Sequence, residues 1–248
     1  MTKPFLSLII PAYNEEHRLP NTLEQVLSFL QAQTYTSEVL VVENASQDQT
    51  FRIAQNYALQ YAARKDEFSP TLRVIQEPQR GKGAAVQRGM LVAFGEYRFM
   101  CDSDLSMPIA EINRFLPPSL LDFDVAIASR EAQGAIRYHE PAYRHLGGRA
   151  VNLMIRLLAL PGLNDTQCGF KCFRAPVAKD LFQRQTLRNW SFDIEILFIA
   201  RRRGYRIIEL PIPWYFDAET KLSPVRDALR MGFDILKIRR NSWQGKYL

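Results

Sequence analysis

Short apolar runs alternate along the chain with longer stretches in which apolar positions recur every third or fourth residue. Strands buried on both faces read as continuous hydrophobic runs and their crossover helices as amphipathic ones, so this alternation predicts an α/β fold with a mainly parallel central sheet flanked by helices. FLSLIIP predicts a first strand, and NTLEQVLSFLQAQ a helix with Asn21 as N-cap and Glu24 three residues on. EVLVVEN predicts a second strand, and Ser46 with Gln49 a capping box for the helix in QDQTFRIAQNYALQYAAR. LRVIQE predicts a third strand leading into PQRGKGAAVQRGMLVAFG, where glycines and Lys82 precede a helix. EYRFMCD and FDVAIASR predict two more strands, on either side of a helix in PIAEINRFL.

The second half is less regular. A loop rich in Arg, His and Gly runs from Glu131 to Arg149, followed by a helix in AVNLMIRLLAL and a strand-like CGFKCFR. A helix in SFDIEILFIARRRG, a strand in YRIIELPIPW and a basic C-terminal helix complete the pattern. No internal repeat, low-complexity tract or linker divides the chain, so residues 1–248 read as a single domain.

At 248 residues, 47% of them hydrophobic, the chain has material for a large core. A formal net charge of +6 favours an anionic partner: nucleic acid, a phosphate-bearing small molecule or an acidic membrane surface. The cysteines, Cys101, Cys168 and Cys172, are odd in number and form no CxxC pair, which predicts buried reduced thiols and a cytoplasmic protein. No run approaches the roughly 18 apolar residues of a spanning helix. The opening MTKPFLSLIIPAYNEE reaches acidic residues too soon for a signal peptide, so membrane association is expected to be peripheral.

Ligands of open parallel sheets bind beyond the carboxyl ends of the strands. The predicted strand ends carry Pro11-Ala12-Tyr13-Asn14-Glu15-Glu16, Glu43-Asn44-Ala45-Ser46 and Asp102-Ser103-Asp104. This acidic, amide-rich edge lacks the GxGxxG of a dinucleotide site, and Gly81-Lys82-Gly83 lacks the leading glycine and following Ser or Thr of a phosphate loop. Asp102 and Asp104, two residues apart, suit either ordinary turn chemistry or two oxygen ligands for a hard cation. A nucleotide sugar fits this edge better than the other nucleotide classes. Its base and ribose need hydrogen-bonding side chains, and its diphosphate needs a cation held by carboxylates.

Taken together, Pro11-Ala12-Tyr13-Asn14-Glu15, Gly81-Lys82-Gly83-Ala84-Ala85 and Asp102-Ser103-Asp104-Leu105-Ser106 resemble the nucleotide-sugar half of the family 2 inverting glycosyltransferases, in order and spacing. DTQCGFKCFR, WSFDIEIL and SPVRDALRMGFDILKIRRN resemble the branch that contains the dolichyl-phosphate beta-glucosyltransferases and their bacterial relatives. The resemblance covers nearly the whole chain. It implies a GT-A type fold in which residues 1–106 bind the nucleotide sugar, 107–222 form the acceptor half and 223–248 an amphipathic C-terminal helix. By the same resemblance Pro11, Tyr13, Asn14 and Glu15 line the uridine or guanosine pocket, and Glu43 faces the base or ribose. Lys82 reaches the donor phosphates, Asp102 the ribose and metal, and Asp104 the metal, which is Mg or Mn. Where the family has Asp-Asp-Gly-Ser after strand two, this chain has Glu43-Asn44-Ala45-Ser46. Asn44 can donate as well as accept, which bears on the base that the pocket takes.

The implied reaction moves a hexose, best read as glucose from UDP-glucose, onto a polyprenyl phosphate. Arg130 and Arg144 resemble the family's phosphate-gripping arginines, and bidentate contact to phosphate oxygens suits arginine. A phosphate acceptor is already ionised and needs no base, whereas a sugar or glycerol hydroxyl would need a carboxylate within hydrogen-bond reach. Asp165, Asp193 and Glu195 are the candidates, with Asp165 favoured as an acceptor-site residue. Trp190, Trp214 and Tyr215 are aromatics that border the acceptor or belong to the core, and His17, His139 and His145 lack metal-ligand spacing. Two helices suggest either contact with a headgroup layer or packing on their own domain or a second subunit, with partial burial expected for the first. One has Arg149, Asn152 and Arg156 on its polar stripe, with Val151, Leu153, Met154, Ile155, Leu157 and Leu158 on its apolar arc. The other aligns Arg226, Arg230, Asp234 and Lys237 opposite Val225, Leu229, Phe233, Leu236 and Ile238. A hydroxyl acceptor is the alternative within the same class, and a basic binding domain a distant third. The acidic strand ends count against a nucleic-acid partner.

Overall fold

The computed structural model describes residues 3–62, 69–217 and 224–248, and for Tyr143, Arg144, Leu146 and residues 224–228 the backbone alone. In chain order the elements are β1 (Leu6–Ala12), α1 (Leu19–Gln31), β2 (Ser37–Glu43), α2 (Thr50–Ala62), β3 (Thr71–Gln76), α3 (Lys82–Val92) and β4 (Tyr97–Cys101). A 3-10 helix (Ile109–Phe115), β5 (Val125–Ser129), β6 (Ile136–Tyr138), α4 (Ala142–Leu158) and β7 (Phe170–Arg174) follow. α5 (Ala175–Arg184), α6 (Phe192–Arg202), β8 (Ile207–Pro211), β9 (Pro213–Tyr215) and α7 (Pro224–Trp243) complete the chain.

Seven strands form the main sheet in the order β3-β2-β1-β4-β7-β5-β8, and β6 and β9 form a small parallel ribbon. Strand pairs in the main sheet are parallel except those of β7, which runs antiparallel to both β4 and β5. The strand order turns back between β1 and β4, so a crevice opens beyond the carboxyl ends of these two strands. Period-two alternation divides the apolar runs between two cores. Leu8 and Ile10 of β1 join Val39 and Val41 of β2 under α1, whereas Ile9, Leu40 and Val42 face α3, α5 and α6.

Several local expectations are corrected. Helix α1 begins at Leu19 with Pro20 in its first turn, so Asn21 lies inside the helix and is not its cap; proline is at ease there because the first-turn N–H groups have no intrahelical partner. The Ser46 hydroxyl accepts the Asn14 N–H (3.1 Å), while Asp48 Oδ1 receives the Thr50 N–H at the start of α2 (3.0 Å). Between Pro108 and Pro117 the chain forms a 3-10 helix where an α-helix is predicted. The loop expected over 131–149 contains β6 and the first turns of α4, and α5 is a helix for which no expectation existed. The single strand expected in YRIIELPIPW divides at Ile212 into β8 and β9, which belong to different sheets.

Helix α4 is partly buried, as expected, and α7 divides its apolar positions between core and surface. In α7 the buried stripe is Met231, Ile235 and Ile238, and the expected apolar face of Leu229, Phe233 and Leu236 is exposed. In α4 Asn152 and Ile155 are buried, leaving Leu153, Leu157 and Leu158 outside beside Arg149 and Arg156. Arg226 and Val225 lie outside the described side chains.

The edge of the sheet away from the crevice is tied by one carboxylate. Glu38, 1% exposed on β2, accepts from the Ser7 hydroxyl (2.6 Å), the Phe94 N–H (2.6 Å) and Arg73 Nη1 (2.9 Å). Removing one partner of a buried ionic network leaves the other donors unpaired, at a cost of about 3–5 kcal/mol. Glu38→Ala is therefore expected to lower the urea-unfolding free energy by about that amount, while turnover per folded molecule, set at the opposite edge, stays unchanged.

Candidate active site

The crevice is built by loops that are laced together. Asn14, Ala45 and Leu105, which follow β1, β2 and β4, adopt left-handed backbone with φ of 52°, 55° and 45°. Such conformations are uncommon outside glycine and persist where surrounding contacts fix them. Those contacts are present. The Gln47 N–H bonds Asn14 Oδ1 (2.9 Å), the Glu15 N–H bonds Thr50 Oγ1 (2.8 Å) and the Glu16 N–H bonds Asp48 Oδ2 (3.1 Å). The Glu15 carboxylate pairs with Arg18 Nε (3.1 Å), and Arg18 Nη1 reaches Asp217 (2.7 Å). Pro11, the residue before the end of β1, is in register with Val42, and the Tyr13 ring lies 5.6 Å from the Arg80 guanidinium. Glu43 is buried, with Oε1 accepting the Ser46 N–H (2.5 Å).

Asn44 uses both halves of its amide away from any base. Its Nδ2 donates to the carbonyls of Glu77 (2.9 Å) and Gln79 (2.7 Å), and its Oδ1 accepts the Gly81 N–H (2.8 Å). An aspartate there could not donate to those two carbonyls. The asparagine thus fixes the loop that launches α3 and Lys82.

Lys82 and Asp102 meet across the crevice, with Nζ 2.7 Å from Oδ1 and 2.8 Å from Oδ2. The Asp102 N–H bonds the Gly169 carbonyl (3.1 Å), and a Cβ on Gly169 would stand 1.8 Å from Asp102 Oδ2. Only glycine admits the carboxylate there. Asp104 Oδ1 accepts the Ser106 N–H (2.9 Å), so turn chemistry and an outward carboxylate coexist in one motif. Thr22 Oγ1 of α1 donates to the Ser103 carbonyl (2.6 Å) and holds the loop from beneath.

Desolvation, and then the charge of Asp102, raise the Asp104 carboxyl above its ordinary value. Burial opposes the Lys82 charge, but Asp102, Asp193 and Asp104 outweigh it and raise the ammonium above its ordinary value. Two carboxylates that repel each other at a strand end fit a shared divalent cation. Among the described residues no group of three or more His, Cys, Asp or Glu side chains is arranged to hold a metal.

On the far side of β7, Asp165 is 0% exposed and grips Arg130. Its Oδ2 accepts from Arg130 Nε (2.6 Å) and from the Arg130 N–H (3.0 Å), and its Oδ1 from Nη2 (3.0 Å). Burial alone would push this carboxyl up, but the guanidinium and its hydrogen bonds dominate and hold it at about 2. An ionised, fully engaged carboxylate is a poor proton acceptor at neutral pH, which weighs against Asp165 as a base. Asp193 is buried against Lys171 (2.6 Å), and Glu195 accepts the N–H groups of Thr186 (2.9 Å) and Leu187 (2.7 Å) and the Tyr247 hydroxyl (2.6 Å). Both carboxylates are engaged by partners within the fold.

Beside Arg130 opens a cleft of about 470 Å³ lined by Glu131, Arg137, Glu140 and His145. The guanidinium carbons of Arg130 and Arg137 lie 5.4 and 5.7 Å from the Trp214 ring centroid. Tyr215 stacks on Tyr138, with 4.5 Å between centroids. Arg144 lies outside the described side chains. Sequence reasoning missed Arg137, Gly169, Thr22 and Lys171. The glycine in CGFK, directly before a strand, was the one available signal for a close backbone approach.

A mostly parallel sheet with an acidic crevice at its switch point is the GT-A arrangement, the class of nucleotide-sugar-dependent transferases. Residues 7–205 match the family described as Glycosyl transferase family 2, and the chain belongs to that family. The dolichyl-phosphate beta-glucosyltransferase of Drosophila melanogaster is 33% identical over 245 residues, spanning 94% of this chain and 74% of that protein. The Homo sapiens protein of the same description is 32% identical over 247 residues, again spanning 94% and 74%. Glucosyl-3-phosphoglycerate synthase from Mycobacterium tuberculosis, solved with Mn2+, UDP and glucosyl-3-phosphoglycerate, is similar in fold. Its TM-score is 0.65 over 95% of this chain and 78% of that one, at 15% identity.

The lowered Asp165 pKa has a pH consequence. A carboxylate depressed in the folded state contributes stability above its ordinary value of 3.8 and loses it as pH falls through about 2. Asp165→Asn is expected to be less stable than wild type by about 3–5 kcal/mol at neutral pH. In urea unfolding that gap should narrow between about pH 4 and pH 2; a gap constant with pH would contradict the ion-pair account.

Proposed function

We propose that this glycosyltransferase moves glucose, with inversion, from UDP-glucose to a polyprenyl phosphate such as dolichyl phosphate. The observation that carries this reading is the segment Asp165–Gly169, which holds Arg130 at one end and Asp102 at the other. It brings an acidic donor edge and an arginine-lined cleft to one place. The relatives named as dolichyl-phosphate beta-glucosyltransferases support the acceptor and the sugar. The mycobacterial complexes with UDP and Mg2+ or Mn2+ support the nucleotide and the cation.

In this reading Pro11, Tyr13, Asn14, Glu15 and Glu43 surround the nucleoside, and Lys82 turns to the diphosphate. Asp102 and Asp104 hold Mg or Mn, which when bound screens the charge of the leaving diphosphate. Arg130, with Arg144, receives the acceptor phosphate, and Asp165 positions Arg130. A phosphate oxygen attacks without deprotonation, so catalysis consists of orientation and charge screening. The engagement of Asp165, Asp193 and Glu195 by structural partners agrees with a reaction that needs no base, and disfavours a hydroxyl acceptor.

Among the described residues no helix is long and apolar enough to cross a membrane. In this reading the acceptor is met at a surface. Leu153 and Leu157 of α4 and Leu229, Phe233, Leu236 and Trp243 of α7 are exposed, with Arg149, Arg156, Arg230, Lys237, Arg239 and Arg240 exposed around them. Arg239 Nη1 donates to the Leu158 carbonyl (2.7 Å), joining the two helices. An apolar ridge among basic residues suits peripheral docking on an anionic leaflet, on the cytoplasmic face.

Two measurements test this reading. UDP-glucose, UDP-galactose, UDP-GlcNAc and GDP-mannose are each paired with a polyprenyl phosphate in detergent, and product is expected from UDP-glucose. Asp104→Asn should reduce turnover about 100-fold or more with an unchanged melting temperature. Product from hydroxyl acceptors alone would remove the lipid-phosphate reading. Separately, the double variant Phe233→Asp, Leu236→Asp should no longer sediment with anionic vesicles while keeping its circular dichroism. Undiminished sedimentation would exclude α7 from the docking surface.

A further inference from the structure

Lys82 stands where a cation would stand. A single ammonium nitrogen 2.7 and 2.8 Å from the two Asp102 oxygens lies near the bisector of the carboxylate. That is the position taken by a cation that spans both oxygens. The carboxylate is fixed in place by Gly169, whose carbonyl receives the Asp102 N–H (3.1 Å) and whose missing side chain makes room for Oδ2. The ammonium is held as well, with Nζ 4.9 Å from the centroid of the Trp190 ring. Neighbouring carboxylates give it no equal alternative: Asp193 is committed to Lys171 (2.6 Å), and Asp104 Oδ1 to the Ser106 N–H (2.9 Å).

We propose that Lys82 is the resident counter-ion of Asp102, keeping a divalent cation out until a nucleoside diphosphate draws the ammonium off the carboxylate, so that cation and diphosphate enter together. This rests on the donor reading above. A divalent cation arriving alone meets the ammonium on the carboxylate's bisector. A diphosphate arriving alone meets Asp102 and Asp104, two carboxylates against one lysine. When both arrive, the ammonium transfers to phosphate oxygens, and the carboxylates it leaves are matched by the cation. No bond is made or broken in this exchange. Lys82 in this role couples two binding events, and the same side chain then serves the diphosphate.

The test is Mn2+ binding to the full chain, read from the electron paramagnetic resonance of free Mn2+, with and without UDP. Wild type is expected to bind Mn2+ at least about tenfold more tightly with UDP present. Lys82→Met should bind Mn2+ alone at least about tenfold more tightly than wild type does, and UDP should then add little. Lys82→Arg, which keeps the positive charge, should resemble wild type toward Mn2+ alone. If Lys82→Met loses its circular dichroism signal, Trp190→Leu is read instead, since it keeps the lysine but removes the ring that holds it; the same direction of change is expected. Mn2+ binding alone that is no tighter in the folded variant than in wild type, while UDP still strengthens Mn2+ binding to wild type, overturns the counter-ion role and leaves the donor reading standing. Absence of any Mn2+ and UDP coupling in wild type overturns the donor reading and this proposal with it.

Discussion

Strand β7 enters the sheet from the edge at which its parallel neighbours leave, so its first residues arrive where β4 and β5 end. Phe170 pairs with Cys101, and Lys171 pairs with both Met100 and Ile127. The segment before β7 is thereby laid across the crevice, between Asp102 and Arg130. A parallel strand in that slot would bring its carboxyl end there instead, and the backbone that carries Asp165 and Gly169 would lie at the opposite edge. The close fit of Gly169 against Asp102 and the three hydrogen bonds from Arg130 to Asp165 both follow from this one reversal.

Charge pairing then decides what each site residue can do. Asp165, Asp193 and Glu195 are buried, and each is satisfied by fixed donors. Leaving such groups unpaired would cost several kcal/mol each (~3–5), so their partners are as much a requirement of folding as of function. Asp102 and Asp104 differ because they face the crevice. Asp102 pairs with Lys82, and Asp104 Oδ1 accepts the Ser106 N–H. In the proposed function the same residue type is scaffold in one place and metal ligand in another.

Much of the first half of the chain was legible because strand ends and glycines announce themselves locally. The strands of LSLIIPA and SEVLVVE, the acidic residues after them and Lys82 at the head of α3 all fall where periodicity and the strand-end rule put them. What was hidden depends on contacts between distant segments. Nothing local in FKCFR states that the strand is antiparallel, and nothing in LFQRQ predicts α5. Asn21 has the composition of a cap, yet Leu19 and Pro20 start the helix earlier because Leu19 is drawn into the core. In α7 two apolar stripes compete for burial, and the pattern alone cannot choose; the side packed against α4 and α6 takes Met231, Ile235 and Ile238. Arg137 escaped notice because its importance comes from Trp214 and the Glu131 and Glu140 carboxylates, which reach it through β6 and the loops beside it.

The hydrogen bonds between the β1 and β2 loops have a thermodynamic consequence. The backbone N–H groups of Asn14, Glu15 and Glu16 are already bonded to the side chains of Ser46, Thr50 and Asp48. A ligand entering between them does not have to order these side chains, which in a slack pocket costs about 0.5–1.5 kcal/mol for each one immobilised. The left-handed backbone at Asn14 and Ala45 was made at folding, and the conformational entropy of the pocket was given up then rather than at each encounter. In the proposed function, recognition of the nucleoside is a preorganised event, and the rearrangement left to the crevice falls at the lysine end.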